Sequence, residues 1–237
     1  MKLYDAHSHL HFPENADALA RLSADRNVAV CDCAVAEIDF PALRDTAAVR
    51  RDIMYPAYGI HPLFLPGHAR DFPELELAEY LRGASAVGEI GLDKKADAEI
   101  GVQRECLLLQ LKMAEAFGLP AVLHCRGEWG RLLDSLREVA PPKGVLVHAA
   151  TCSPEAAREL SALGAVFSFG VRELGGLRGL NCAASLPPER ILVESDADSS
   201  PEILEEALAA LADLKGESFE RMGAIVGENF LRFFNGK

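Results

Sequence analysis

The sequence predicts an α/β fold, a (β/α)8 TIM barrel, formed by residues 1–237 as one domain. Three observations point there. Eight short apolar segments alternate with helical ones, and a barrel with that count takes about 250 residues. The apolar segments are rich in Val, Ile, Leu and Ala without a clean polar alternation, as fits parallel strands covered on both faces. No linker, low-complexity tract or repeat divides the chain. A doubly wound open sheet uses the same units and stays open as an alternative on pattern alone.

In order, the strands fall at Leu3–His7, Val28–Cys33, Met54–Ile60, Ala86–Ile90, Ala121–His124, Val145–His148, Val166–Phe169 and Ile191–Glu194. Before the fifth strand, Asp97 is placed to cap a helix in which Ile100, Leu107, Leu111 and Ala114 recur at helical spacing. Gly118 and Pro120 end that helix. Ser153 followed by Pro154 opens the helix after the sixth strand, and Gly164 closes it. Ser200–Pro201 repeats this start signal ahead of Leu204, Leu208 and Leu211. A last helix from about Ser218 carries Met222, Ile225, Phe230 and Phe233.

Composition narrows the function classes. With 49% apolar and 25% charged residues the chain is globular rather than disordered. The longest stretch free of Asp, Glu, Lys and Arg, Ile53–Ala69, holds Pro56, Pro62 and Pro66, so it is no transmembrane helix. Asp5, His7 and His9 stand where a cleaved secretory signal needs an apolar run, which predicts a cytoplasmic protein with no membrane partner. The six cysteines (Cys31, Cys33, Cys106, Cys125, Cys152 and Cys182) form no paired C-x-x-C element and read as buried thiols. A net charge of −12 argues against coating nucleic acid by bulk charge. A local cleft where bound metal supplies the positive field is still compatible with it.

The ionisable residues at the strand ends carry the functional signal. His7 and His9 leave the first strand, His61 the third, His124 the fifth and His148 the sixth. Glu89 lies in the fourth strand, and Glu194 and Asp196 end the eighth. In a barrel these ends converge on one mouth, where active sites of this fold are built. Residues two apart share a strand face, which pairs His7 with His9, Glu89 with Asp93 and Glu194 with Asp196. Imidazole with carboxylate suits zinc, manganese, iron or nickel, whereas magnesium prefers mostly oxygen. Six such groups exceed what one catalytic ion needs, so the arithmetic favours two divalent ions sharing a carboxylate.

Softer expectations attach to other residues. Arg126, two residues beyond His124, is placed to grip a phosphate or else to form a surface salt bridge. His61 either contacts substrate or packs beside Pro62, and Glu194 orients a neighbouring ligand. Trp129 packs in the core or stacks on a base. Gly170, Gly175 and Gly176 read as turn glycines, at a point where barrels often bind phosphate.

Several motifs together resemble one family. D-A-H-S-H-L at Asp5–Leu10, G-I-H-P at Gly59–Pro62, V-G-E-I-G-L-D at Val87–Asp93 and L-P-A-V-L-H-C-R at Leu119–Arg126 are similar to those of the TatD family of metal-dependent hydrolases. The Gln103–Gln110 helix, L-V-E-S-D at Leu192–Asp196 and E-N-F-L-R-F-F at Glu228–Phe234 extend the likeness over nearly the whole chain. The resemblance implies a barrel of the amidohydrolase type with two divalent ions, of zinc, magnesium, manganese or nickel. His7, His9 and Asp196 would hold one, His124 and His148 the other, and Glu89 would bridge them. It also implies a deoxyribonuclease acting at DNA ends; Asp196 and Glu89 are the expected catalytic residues, and the placement of Arg126 and His61 makes them the candidate substrate contacts. A small ester or amide is the alternative substrate, and a barrel that binds without chemistry is a further alternative. No obligate protein partner is implied. Lys94, Leu63 and the H-A-A-T-C-S segment at His148–Ser153 depart from the family's usual pattern. They fall in substrate-facing loops and leave every implied ligand in place.

Overall fold

The computed structural model describes residues 1–12, 15, 27–139, 141, 143–198 and 200–236. Eight parallel strands form the barrel wall: β1 (Leu3–Ser8), β2 (Val28–Cys33), β3 (Met54–Tyr58), β4 (Ala86–Asp93), β5 (Ala121–Arg126), β6 (Val145–Val147), β7 (Val166–Phe169) and β8 (Ile191–Val193). Each strand pairs with its successor, and β1 pairs with β8 at Asp5 and Val193. The ring is therefore closed, which excludes the doubly wound open sheet. Outside it lie α1 (Phe40–Val49), α2 (Glu74–Leu81), α3 (Ile100–Phe117), α4 (Trp129–Glu138) and α5 (Pro154–Ala162). They are followed by α6 (Val171–Leu174), α7 (Leu177–Ser185), α8 (Pro201–Lys215) and α9 (Phe219–Asn235).

The strands form where the continuous apolar runs place them, because the ring buries one face and the helices cover the other. Every residue of β2, β4 and β7 is buried. Phe40, Phe167, Phe169 and Phe230 are among the largest fully buried side chains, each stabilising the fold by about 1.5–3 kcal/mol through burial. Ser153, Ser200 and Ser218 each accept a backbone N–H of the first helical turn and so start α5, α8 and α9. Gly118 closes α3 in the left-handed region at φ 65°.

Some boundaries differ from the expectation. β4 runs on to Asp93 and β5 to Arg126, whereas β3 stops at Tyr58 and β6 and β8 stop one residue before His148 and Glu194. Asp97 does not cap α3. The turn before the helix is taken up by Asp93, whose carboxylate accepts Lys95 N–H, and Glu99 becomes the cap residue without a side-chain bond. The glycines after β7 are not a simple turn, because Gly170 and Gly176 start α6 and α7. Trp129 begins α4 and packs against the core.

Three buried amides fix the strand ends. On α3, Gln110 accepts Ile60 N–H (2.8 Å) and donates to Ile60 O (3.2 Å), immediately before His61. Two turns earlier on the same buried face of α3, Gln103 accepts Asp93 N–H (2.9 Å) and donates to Asp93 O (3.1 Å). Asn229 of α9 donates to Pro188 O and Ile191 O, both at 2.8 Å, and secures the start of β8. Gly91 is required by sterics: at φ 152° a Cβ there would lie 1.9 Å from His124 O. Among the described residues no helix is long and apolar enough to cross a membrane, and the six cysteines are free and buried.

Candidate metal centre

At the carboxyl end of the barrel, side chains from β1, β4, β5 and the segments after β3, β6 and β8 meet around Glu89. Its Oε2 lies 3.4 Å from His7 Nε2 and 3.5 Å from His9 Nε2. Its Oε1 lies 2.8 Å from His148 Nε2, 3.1 Å from His124 Nδ1 and 3.3 Å from His61 Nε2. Asp196 Oδ1 completes the first group, 3.8 Å from His7 Nε2 and 3.6 Å from His9 Nε2. A tetrahedral ion with bonds of about 2.0–2.1 Å spaces its ligand atoms about 3.3–3.4 Å apart. The observed spacings bracket that value.

Outer hydrogen bonds decide which nitrogens have a lone pair to offer. His9 Nδ1–H donates to Cys33 O at 2.7 Å, which turns Nε2 inward as a bare acceptor. Burial, reinforced by His7, holds His9 below the usual imidazole range, against the pull of Glu89 and Asp196. His124 Nε2–H donates to Asp93 Oδ2 at 3.1 Å and leaves Nδ1 to face Glu89. His7 Nε2 and His9 Nε2 stand only 3.2 Å apart. One proton can serve one such pair, whereas a cation satisfies both nitrogens and the carboxylates at once. The donor set therefore fits a divalent metal. Among the described residues three overlapping groups meet ligand spacing within 4.8 Å: His7–His9–Glu89, His7–His148–Asp196 and His61–Glu89–His124.

His61 differs from the other four histidines. Its Nδ1 accepts Leu63 N–H at 3.1 Å, at the start of a 3-10 turn. The ring proton therefore sits on Nε2, which lies 3.3 Å from Glu89 Oε1. Burial pushes its pKa down to about 4, so it is neutral at ordinary pH. A neutral ring with Nδ1 taken by Leu63 N–H turns Nε2 toward Glu89 and His124.

The charges reinforce one another. Burial alone would raise the Glu89 carboxyl, but His148, His61, His7 and His124 together hold it well below the usual range. Burial would likewise lower His148, and Glu89 and Glu194 raise it far above the ordinary imidazole value. Asp196 is net lowered, because His148, His7 and His9 outweigh its burial. Backbone strain marks the same place. Asp196 (φ 52°) and Ala149 (φ 45°) are the non-glycine residues with positive φ among those described, and both adjoin the cluster.

The sequence-predicted residues His7, His9, His61, Glu89, His124, His148 and Asp196 are thus brought together. Glu194 is fully buried, accepts Ala149 N–H at 2.8 Å and Ser168 Oγ–H, and lies 3.8 Å from His148 Nδ1. Arg126 ends β5 with its side chain exposed and is not within ion-pair distance of Glu89 or Asp196. Three supports were missed. Asp93 orients His124, as its shared strand face with Glu89 could have suggested. Asp5 accepts His7 N–H and Ser195 N–H, tying β1 to the segment after β8. Asp32, flanked by Cys31 and Cys33 on the opposite face, binds His11 Nδ1–H at 2.9 Å.

Known proteins bear on this geometry. The TatD related DNase family model matches residues 4–235. The uncharacterized metal-dependent hydrolase YcfH of Escherichia coli strain K12 is 28% identical over 99% of this chain and 96% of its own. Human deoxyribonuclease TATDN3 is 25% identical, with 98% of this chain and 94% of that protein covered. Among solved structures, the TatD homologue YjjV from Escherichia coli K12 superimposes with a TM-score of 0.83 at 26% identity, covering 98% of each chain.

Proposed function

The chain belongs to the TatD related DNase family, a family of metal-dependent hydrolases, and from that premise we propose that it uses two divalent ions to cleave phosphodiester bonds at DNA ends. The observation that carries the two-ion reading is Glu89. Each of its oxygens faces a separate set of histidine nitrogens, Oε2 toward His7 and His9 and Oε1 toward His124 and His148. His7, His9 and Asp196 would hold one ion, His124 and His148 the second, with Glu89 between.

Cations there supply Lewis acidity, making a water more acidic and offsetting charge on the ester oxygens. The protein's own groups do the rest. Asp196 gives Oδ1 to the cluster and turns Oδ2 outward, where it can orient the attacking water, accept its proton and pass that proton to the leaving oxygen. His61 presents a neutral ring beside Glu89, with Nε2 3.3 Å from Oε1. Arg126, at the rim, is available to a phosphate farther along the strand. The acidic chain confines these contacts to the mouth, so DNA binding should depend only shallowly on salt. Free, buried thiols accord with a cytoplasmic site of action.

Hydrolysis of a small ester or amide is the second reading, favoured by the altered loops at Lys94 and Ala149–Cys152. Metal-reconstituted protein tested on end-labelled single- and double-stranded DNA, amides, lactones and aminoacyl esters separates the two. Release of nucleotides from one DNA end supports the first. Turnover of a neutral ester with intact DNA supports the second. Failure to retain any metal would instead favour a barrel that only binds.

A further inference from the structure

We propose that Arg172 is the substrate-binding residue that grips the anionic oxygen of the scissile ester, making this mouth selective for phosphate esters over neutral ones. The proposal builds on the hydrolase reading of the same site. Among the described residues, Arg172 supplies the only Lys or Arg nitrogen within ion-pair distance of Glu89 or Asp196: its Nη2 lies 3.5 Å from Asp196 Oδ2. That oxygen is the outward one, opposite the Oδ1 that faces His7 and His9.

The side chain is anchored at one edge and open at the other. Nε–H donates to Glu173 Oε1 at 3.0 Å, and Glu173 is itself buried, with Oε2 accepting Gly170 N–H. This fixes the guanidinium's base to the end of β7. The side chain remains 77% exposed, so the guanidinium nitrogens that Glu173 does not hold are open to solvent beside Asp196. A planar guanidinium with one edge held and one edge open suits the paired oxygens of a phosphate. At 3.5 Å to a partly exposed carboxylate, the Asp196 contact is long and readily shared with an arriving anion. A neutral acetate ester offers no such oxygen to take up the open edge. In a chain of net charge −12, a cation at the reacting group is also what keeps an anionic substrate in place.

The test compares wild type, Arg172→Gln, Arg172→Lys and Arg137→Gln. Inorganic phosphate binding is measured by calorimetry, with and without zinc. Hydrolysis of bis(4-nitrophenyl) phosphate and 4-nitrophenyl acetate is measured on metal-loaded protein. Losing a charge-assisted contact should weaken phosphate binding and kcat/KM for the diester by about 10- to 100-fold in Arg172→Gln. Arg172→Lys should fall between, and the acetate ester should be nearly unaffected. Arg137→Gln, at an exposed arginine near the end of α4 that pairs with Asp134 and Glu159, should leave phosphate affinity close to wild type. Unchanged phosphate affinity in Arg172→Gln, no phosphate binding by the wild type, or an equal loss on both substrates overturns the proposal. If the wild type cleaves the acetate but no phosphodiester, the nuclease reading fails, and phosphate binding still decides the role of Arg172.

Discussion

Replacing Glu89 with glutamine removes one negative charge from the point where the histidine nitrogens of the cluster converge. Shape is almost preserved, and 3% exposure leaves no room for water to compensate. The new amide must aim N–H groups either at His7 and His9 or at His124 and His148, whose inward nitrogens are needed as acceptors. Removing one partner from a buried charged group costs about 3–5 kcal/mol. At about 1.4 kcal/mol per tenfold, the affinity of each ion should fall by at least about 10². The assay is competition of metal-free protein with a chelator for zinc, followed by calorimetry and elemental analysis, with circular dichroism to verify the fold. Wild type should approach two ions per chain, Glu89→Gln should lose affinity at both sites, and His9→Ala at one. Two ions bound to Glu89→Gln within about threefold of the wild-type affinity would refute the bridging argument.

Other perturbations probe separate links. Asp196→Asn keeps the shape but cannot accept a proton, so kcat should fall by at least about 10² with a smaller change in KM; near-normal kcat on the best substrate would remove Asp196 from that role. Asp5 is buried, and its carboxyl is pushed up to about 8, chiefly by desolvation. The native state therefore binds a proton that the unfolded chain gives up near pH 4, and the associated stability is lost as pH rises toward 8. Asp5→Asn should accordingly gain stability over wild type from pH 5 to pH 9 in metal-free denaturant titrations, and a constant difference across that range would contradict the assignment. Gln110→Leu is similar in volume but orphans the buried N–H and C=O of Ile60, at about 1–3 kcal/mol each; a loss of unfolding free energy below about 1 kcal/mol in urea titrations would show that these groups find other partners.

What the sequence disclosed follows from local periodicity. Strand runs, the serine caps of α5, α8 and α9, and the shared face of His7 and His9 each depend on neighbours a few residues apart. Asp93 with His124, Asp5 with Ser195 and Asp32 with His11 depend on how strands align across the ring, which no single segment encodes. Gln103 and Gln110 are polar residues on the buried face of α3, and their purpose is visible only once Asp93 and Ile60 present their backbone groups to them. The failure of Asp97 as a cap has the same origin: Gln103 also takes Ala98 O, so the turn is organised from the helix rather than from the loop. The donor state of His61 depends on Leu63 N–H, a short-range contact that needs the 3-10 turn to exist first.

Closure of the ring has a kinetic consequence. Asp5 and Ser195 are 190 residues apart in sequence, and the cluster needs His7 and His9 from one end of the chain and Asp196 from the other. Contacts of such long range form late, after most of the loop-closure entropy has been lost. A cation held by both ends has little to bind in a half-built barrel, so it cannot template early folding. Its stabilisation then appears almost wholly in the unfolding rate. Metal-loaded protein should open more slowly than the metal-free form while refolding at nearly the same speed, so the ion acts as a latch on the finished ring.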